Sequence, residues 1–366
     1  MDVTGEASVP HSAGGYTSGF ADSVPSRLGR RELDGTKGGD MQIWLWVGFI
    51  VIILFLLALD LGVFNRRAHV IHMREALGWT CVYIALALLF NVAVYFMYEQ
   101  HWLGIGREIG YPTTGKLAAQ DFFLGYVIEK SLSLDNIFVI ALIFSFFAVP
   151  LQFQHRVLFW GIIGALIMRG MMIAAGAALL QRFGWMNYVF GGFLIVTAAK
   201  MMVASHEEVD PEKNWLVRIA RRVFPVAPAF EGQRFFTRLD GKRAITPLFL
   251  VLLVVESTDV MFAVDSIPAI FSVTKDPFIV FTSNVFAILG LRSLYFALAN
   301  LMEKFRYLKM SLVFLLAYVG GKMLVSHHYA IKVDSVLSLA VIGGILSVGV
   351  LASILADKRK SRAAGQ

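Results

Sequence analysis

The feature that most constrains this chain is the recurrence of long apolar runs separated by short polar breaks. Trp44 to Leu59 reads WLWVGFIVIILFLLAL and Ser311 to Gly321 reads SLVFLLAYVGG, and many such runs approach the roughly 20 residues that cross a bilayer as a helix. A single soluble core has no need of that repetition. Hydrophobic residues fill 57% of the 366 positions and charged residues only 16%, against about a quarter in ordinary soluble domains. The expected fold is all-α: a polytopic membrane protein with about nine transmembrane helices. The spans are expected near 42–64, 76–98, 119–148, 155–180, 185–205, 245–272, 277–301, 307–326 and 334–355.

The formal charge of +7 would suit nucleic acid if it formed one surface, but it does not. Arg66, Arg67, Arg74, Arg156, the 206–244 segment, Lys304 to Lys309 and the tail collect roughly 19 Lys and Arg in one alternate set of loops, against about five in the other. That asymmetry predicts a multi-pass plasma (inner) membrane protein, N-terminus outside and C-terminus cytoplasmic, with the lipid bilayer as partner and no nucleic acid. A single cysteine, Cys81, excludes an intramolecular disulfide or a thiolate cage made by this chain and reads as a packing residue. Residues 1–40 are rich in Gly, Ser, Asp and Arg, lack a signal-peptide core and read as a disordered extension. Met41 opens MQIWLWVGF, which points to it as the natural start, an expectation that N-terminal sequencing of native protein would test.

An internal repeat organises the rest. Ser133-Leu134-Asp135-Asn136-Ile137-Phe138 lies over Ser257-Thr258-Asp259-Val260-Met261-Phe262, then Arg169 over Arg292, Lys200-Met201 over Lys322-Met323, and Ser205-His206 over Ser326-His327. The repeat units, 119–205 and 245–326, each hold three spans, and an odd number of crossings makes consecutive copies run in opposite senses. Two helices within 41–118 precede them, the basic 206–244 loop joins them, and 327–366 supplies the last helix and a basic tail. Inverted repeats of this kind place substrate near the midplane at their interface, where Asp135 and Asp259 are expected.

Five carboxylates, Glu129, Asp135, Glu256, Asp259 and Asp265, fall in two apolar spans. Each ionised one costs roughly 2.5–3.5 kcal/mol at a helix centre, so the set implies mutual partners, protonation or a bound cation. Glu256 and Asp259, at i, i+3, share a face and could chelate together, whereas Glu129 and Asp135 do not share one on a regular helix. Pro268 is expected to kink or break its helix beside Asp265 and free carbonyls there. Oxygen ligands without cysteine select a hard divalent cation, Mn²⁺, Mg²⁺ or Ca²⁺. Against this stands a structural reading in which Asp135 and Asp259 form buried ion pairs with Arg169 and Arg292. Asp60 is balanced between site ligand and interfacial cap, and Lys130, Lys200 and Lys322 read as snorkelling or paired groups. The methionines around Met171 and Met201 read as apolar filler rather than a copper site, and His206, His327 and His328 as interface anchors.

The segments LALDLGVFNRRAH with EALGW, EKSLSLDNIFV, VESTDVMFAVDSIPAIF and FAILGLRSLYF resemble the TerC family over about 41–330. That family carries a tellurium-resistance name, resembles LysE-type transporters, and has members linked to manganese export and to supplying metal to exported enzymes. The resemblance implies metal-handling roles for Asp60, Glu129, Asp135, Asn136, Glu256, Asp259 and Asp265, and protein partners in metallation. Tellurite itself fits poorly, since its chemistry favours thiols. The expectation is a secondary exporter of Mn²⁺ or a similar cation by alternating access, exchanging protons where the carboxylates take them up, with no permanently bound cofactor. No P-loop supports ATP-driven pumping. The rivals are an intramembrane carboxylate enzyme and a membrane-complex partner without transport.

Overall fold

The computed structural model describes residues 43–59, 73–106, 114–203, 214–239, 241–298, 308–329, 331 and 333–364. The 1–40 extension, Met41 and Asp60 lie outside the described residues. The helices are α1 (Ile43–Leu59), α2 (Met73–Glu99), α3 (Gly115–Phe146), α4 (Leu151–Arg182), α5 (Met186–Val203), α6 (Trp215–Val223), α7 (Pro247–Phe271), α8 (Pro277–Ile288), α9 (Leu291–Leu298), α10 (Leu308–His328) and α11 (Ser335–Ala364).

Among the described residues, 7 helical segments are long and apolar enough to cross a membrane: α2, α4, α5, α7, the α8–α9 pair, α10 and α11. The shorter α1 is also apolar. Helix α3 has 32 residues, about 48 Å of helix, but carries Glu129, Lys130 and Asp135 in its middle. The protein's outer faces are apolar, and a minority of polar side chains sits within an otherwise apolar interior. Leu89, Val196 and Leu351 stand exposed on the outer faces, whereas Glu129, Ser133, Arg169 and Asn284 are buried. Hydrocarbon rewards that arrangement, since a polar group facing lipid has nothing to bond.

The helices cross-pair. Helix α3 packs on α8, α4 on α7, and α5 on α10, with α2 against α3 and α9, and α11 against α10 and α3. Gly191 and Gly320 let α5 and α10 touch backbone to backbone: a Cβ on either would sit 3.1 or 2.9 Å from the other's carbonyl oxygen. Capping fixes the ends of the helices that matter below. The Thr114 hydroxyl accepts from Leu117 N at 3.3 Å at the start of α3, and Asp276 accepts from Phe278 N at 2.9 Å at the start of α8.

Four details differ from the sequence expectations. The span at 277–301 is broken: α8 stops at Ile288, Gly290 takes φ +78°, and α9 begins at Leu291. Hydropathy is blind to a two-residue break in an apolar run. Helix α7 instead continues through Pro268 to Phe271, so no break opens beside Asp265. The 206–244 loop holds α6 and an antiparallel hairpin, β1 (Phe236–Leu239) with β2 (Lys242–Ile245), so the fold is not purely α. Cys81 is exposed on α2 rather than packed.

Candidate functional site

Arg169 lies in the middle of α4, 1% exposed, where nothing in hydrocarbon would solvate a guanidinium. Its fork is satisfied by α3, α7 and α8 together. Nε donates to Asp259 Oδ2 at 3.2 Å and Nη2 to Asp259 Oδ1 at 2.9 Å, a bidentate clamp. Nη1 bonds the Glu129 carboxylate through Oε1 and lies 3.3 Å from Asn284 Oδ1 and 3.5 Å from Ser266 Oγ. One cation is thus shared between the buried Glu129 carboxylate and the half-buried Asp259 carboxylate. With both ionised the triad carries an excess negative charge in a dry environment, which a further cation or a proton would offset.

A wall of oxygens stands beside it. Glu129, Ser133 and Asn136, at i, i+4 and i+7, share one face of α3. Glu129 Oε2, Ser133 Oγ and Asn136 Oδ1 are buried with no hydrogen-bond partner among the described residues, as is Asn284 Nδ2. Buried polar atoms are normally paired, so several orphans in one region mark a place where something polar belongs. A carboxylate, a hydroxyl and an amide carbonyl are the ligand types of hard cations.

The remaining expected residues distribute around this group. Glu256 packs against α4 at Gly164, where any Cβ would strike its carboxylate, and lies within electrostatic reach of Asp259. It does not join Asp259 in the Arg169 clamp. Asp265 accepts from Thr197 Oγ1 of α5 at 3.0 Å, away from Arg169. Asp135 is half-buried and sits six residues past Glu129, about 120° round the helix from that wall. The carboxylate that meets Asp259 across Arg169 is therefore Glu129, not Asp135. Arg292 Nη1 lies 3.3 Å from His155 Nε2 near the start of α4. Lys130 does not snorkel: Nζ donates to Ala287 O at 3.1 Å, in the last turn of α8. Among the described residues no three His, Cys, Asp or Glu side chains converge as a metal cage, so a cation here would rely on neutral oxygens as well. Sequence reasoning missed Ser133, Ser266 and Asn284 as site residues; a buried Asn within the apolar run FTSNVFAIL was the available signal.

Residues 114–361 match the integral membrane protein TerC family, from the N-cap of α3 through the whole Arg169 group. The chain belongs to the TerC family. This TerC protein is 50% identical over 314 residues to the uncharacterized membrane protein STKORF319 of Myxococcus xanthus, covering 86% of this chain and 93% of that one. It is 45% identical over 303 residues to a candidate membrane-bound redox modulator, Alx, of Escherichia coli K12, covering 82% and 91% of the two chains. An uncharacterized membrane protein of Rickettsia bellii is 39% identical over 310 residues, 85% of this chain and 97% of its own. No solved structure matches the chain.

Proposed function

We propose that this TerC protein is a secondary transporter that exports hard divalent cations, Mn²⁺ foremost. The observation that carries the reading is the row of unpartnered buried oxygens, Glu129 Oε2, Ser133 Oγ and Asn136 Oδ1, beside a triad with more negative than positive charge. A cation that binds there displaces Arg169 from Glu129 and leaves it clamped on Asp259. When the cation leaves, Arg169 returns to Glu129 and neutralises the empty site, which lets the carrier reset. Protons taken up by Glu256 or Glu129 on the return would make the cycle a cation/proton exchange. Nine spans and two inverted three-helix units supply the rocking motion. The pairing of α3 with α8, α7 with α4 and α5 with α10 supports that symmetry. The chain sits in the plasma membrane with its N-terminus outside, and exported proteins that need the metal are its partners in metallation. Asp135, Asp265 and Asp60 serve as relays to the site rather than as its centre.

One observation favours a second reading, a membrane partner without transport: Arg169 already takes both oxygens of Asp259, as a purely structural clamp would. Mn²⁺ efflux from loaded proteoliposomes separates the two. Glu129→Gln and the double variant Ser133→Ala/Asn136→Ala are expected to lose at least about tenfold in flux, the scale of one charge-assisted contact. Wild-type flux retained by both variants would remove the site. Absence of flux in the wild type would favour the partner reading.

A further inference from the structure

We infer that the connection between the two halves, α6 with the β1–β2 hairpin, is a docking surface for anionic phospholipid headgroups, and its placement fixes the depth at which it works. Strand β2 leads through Thr246 directly into α7, and the Thr246 hydroxyl donates to Arg234 O at 2.7 Å, so the hairpin is held at the end of a membrane-crossing helix. Asn214, the N-cap of α6, donates to Ser257 Oγ at 2.5 Å, ten residues into α7 or about 15 Å along it. Helix α6 therefore slopes from the hairpin down alongside α7. Val217 is buried in the cluster that holds Phe235, Ile245, Leu248 and Val251.

The face left open has two stripes. Trp215, Ile219 and Val223, at i, i+4 and i+8, are 63%, 51% and 63% exposed. Arg218 and Arg222 are exposed beside them. An apolar stripe edged by arginines suits a helix that slopes through the acyl layer toward the headgroups, its guanidinium groups reaching back to phosphate. The hairpin adds an independent observation. Its register sets Arg238 directly opposite Arg243, with Lys242 next in the strand. Like charges facing across a ladder repel, and a phosphate between them turns that repulsion into attraction. The nearby acid Glu231 is engaged by the Thr237 hydroxyl. From 214 to 245 the chain carries seven Lys and Arg against two acids.

The full-length protein in detergent, offered phosphatidylglycerol and phosphatidylcholine, tests this by native mass spectrometry of retained lipid, a readout that does not depend on transport. Each basic side chain near an anionic headgroup contributes roughly fivefold in affinity, so wild type is expected to retain phosphatidylglycerol at least about fivefold over phosphatidylcholine. Arg238→Gln/Arg243→Gln, on an exposed hairpin, is expected to lose most of that preference. Lys275→Gln, exposed on the α7–α8 turn beyond the opposite end of α7, is expected to keep it. Equal retention of both lipids by wild type, undiminished preference in the hairpin variant, or displacement of the lipid by millimolar inorganic phosphate would each overturn the inference.

Discussion

Arg169 decides how the buried carboxylates coexist. Removing it as Arg169→Met leaves Glu129 and Asp259 facing each other without a counter-charge, and breaking a buried pair in this way costs about 3–5 kcal/mol. The thermal midpoint of the purified protein should fall accordingly, and Arg169→Met/Glu129→Gln should recover part of the loss because one buried charge goes with it. Unchanged melting of Arg169→Met would mean that Asp259 and Glu129 are held by other groups. Arg169→Lys keeps the charge but cannot span both Asp259 oxygens and Glu129 with a planar fork, so it is expected to melt between the two. The sequence made the acids visible, because an ionisable group in an apolar run stands out wherever it falls. It offered Asp259 as an ion-pair partner for a mid-span arginine but did not single out Glu129 as the acid that shares Arg169 with it. Which acid meets Arg169 depends on the turn of α3 that faces α4 and α7, and six residues move a side chain about 120° round the helix. That rotation is set by packing between helices and leaves no mark on the motif itself.

At the level of single elements, two glycines hold the site's surroundings in place. Gly290 separates α8 from α9 at φ +78° and presses on the Tyr83 ring, 2.7 Å from where a Cβ would stand. Gly290→Ala should cost about 1–3 kcal/mol, visible as a lowered melting temperature; no change would show that α8 and α9 can join without penalty. Gly164 does a different job, leaving room for the Glu256 carboxylate on α4. Gly164→Ala should leave melting nearly unchanged, since helix α4 gains propensity, while it pushes Glu256 aside and alters the concentration dependence of Mn²⁺ flux. Identical half-saturation in wild type and variant would remove Glu256 from the transport path. The long apolar helices were legible from hydropathy alone. The α8–α9 break, α6 and the hairpin were not, because each is shorter than the windows in which periodicity and hydropathy accumulate.

For the whole molecule the consequence that matters is direction, because the same site exports or imports according to which end of the protein faces the cytoplasm. Positive charge crowds the 206–244 connection, while the α4–α5 turn at Gly184 carries little. The candidate span α5 is the one crossing between those two points, so a spanning α5 puts them on opposite faces of the bilayer. In a Cys81→Ser background, Ala229→Cys and Gly184→Cys place single thiols on each, both at open positions. A membrane-impermeant maleimide is expected to label Gly184→Cys in intact cells and Ala229→Cys only in inside-out vesicles. The reverse pattern would place the basic connection outside and turn the proposed exporter into an importer. Labelling of both from one side would mean that α5 does not cross. That last outcome would also dismantle the proposed inversion of the two units, and with it the proposed rocking mechanism, because two units related by inversion need an odd number of crossings in each.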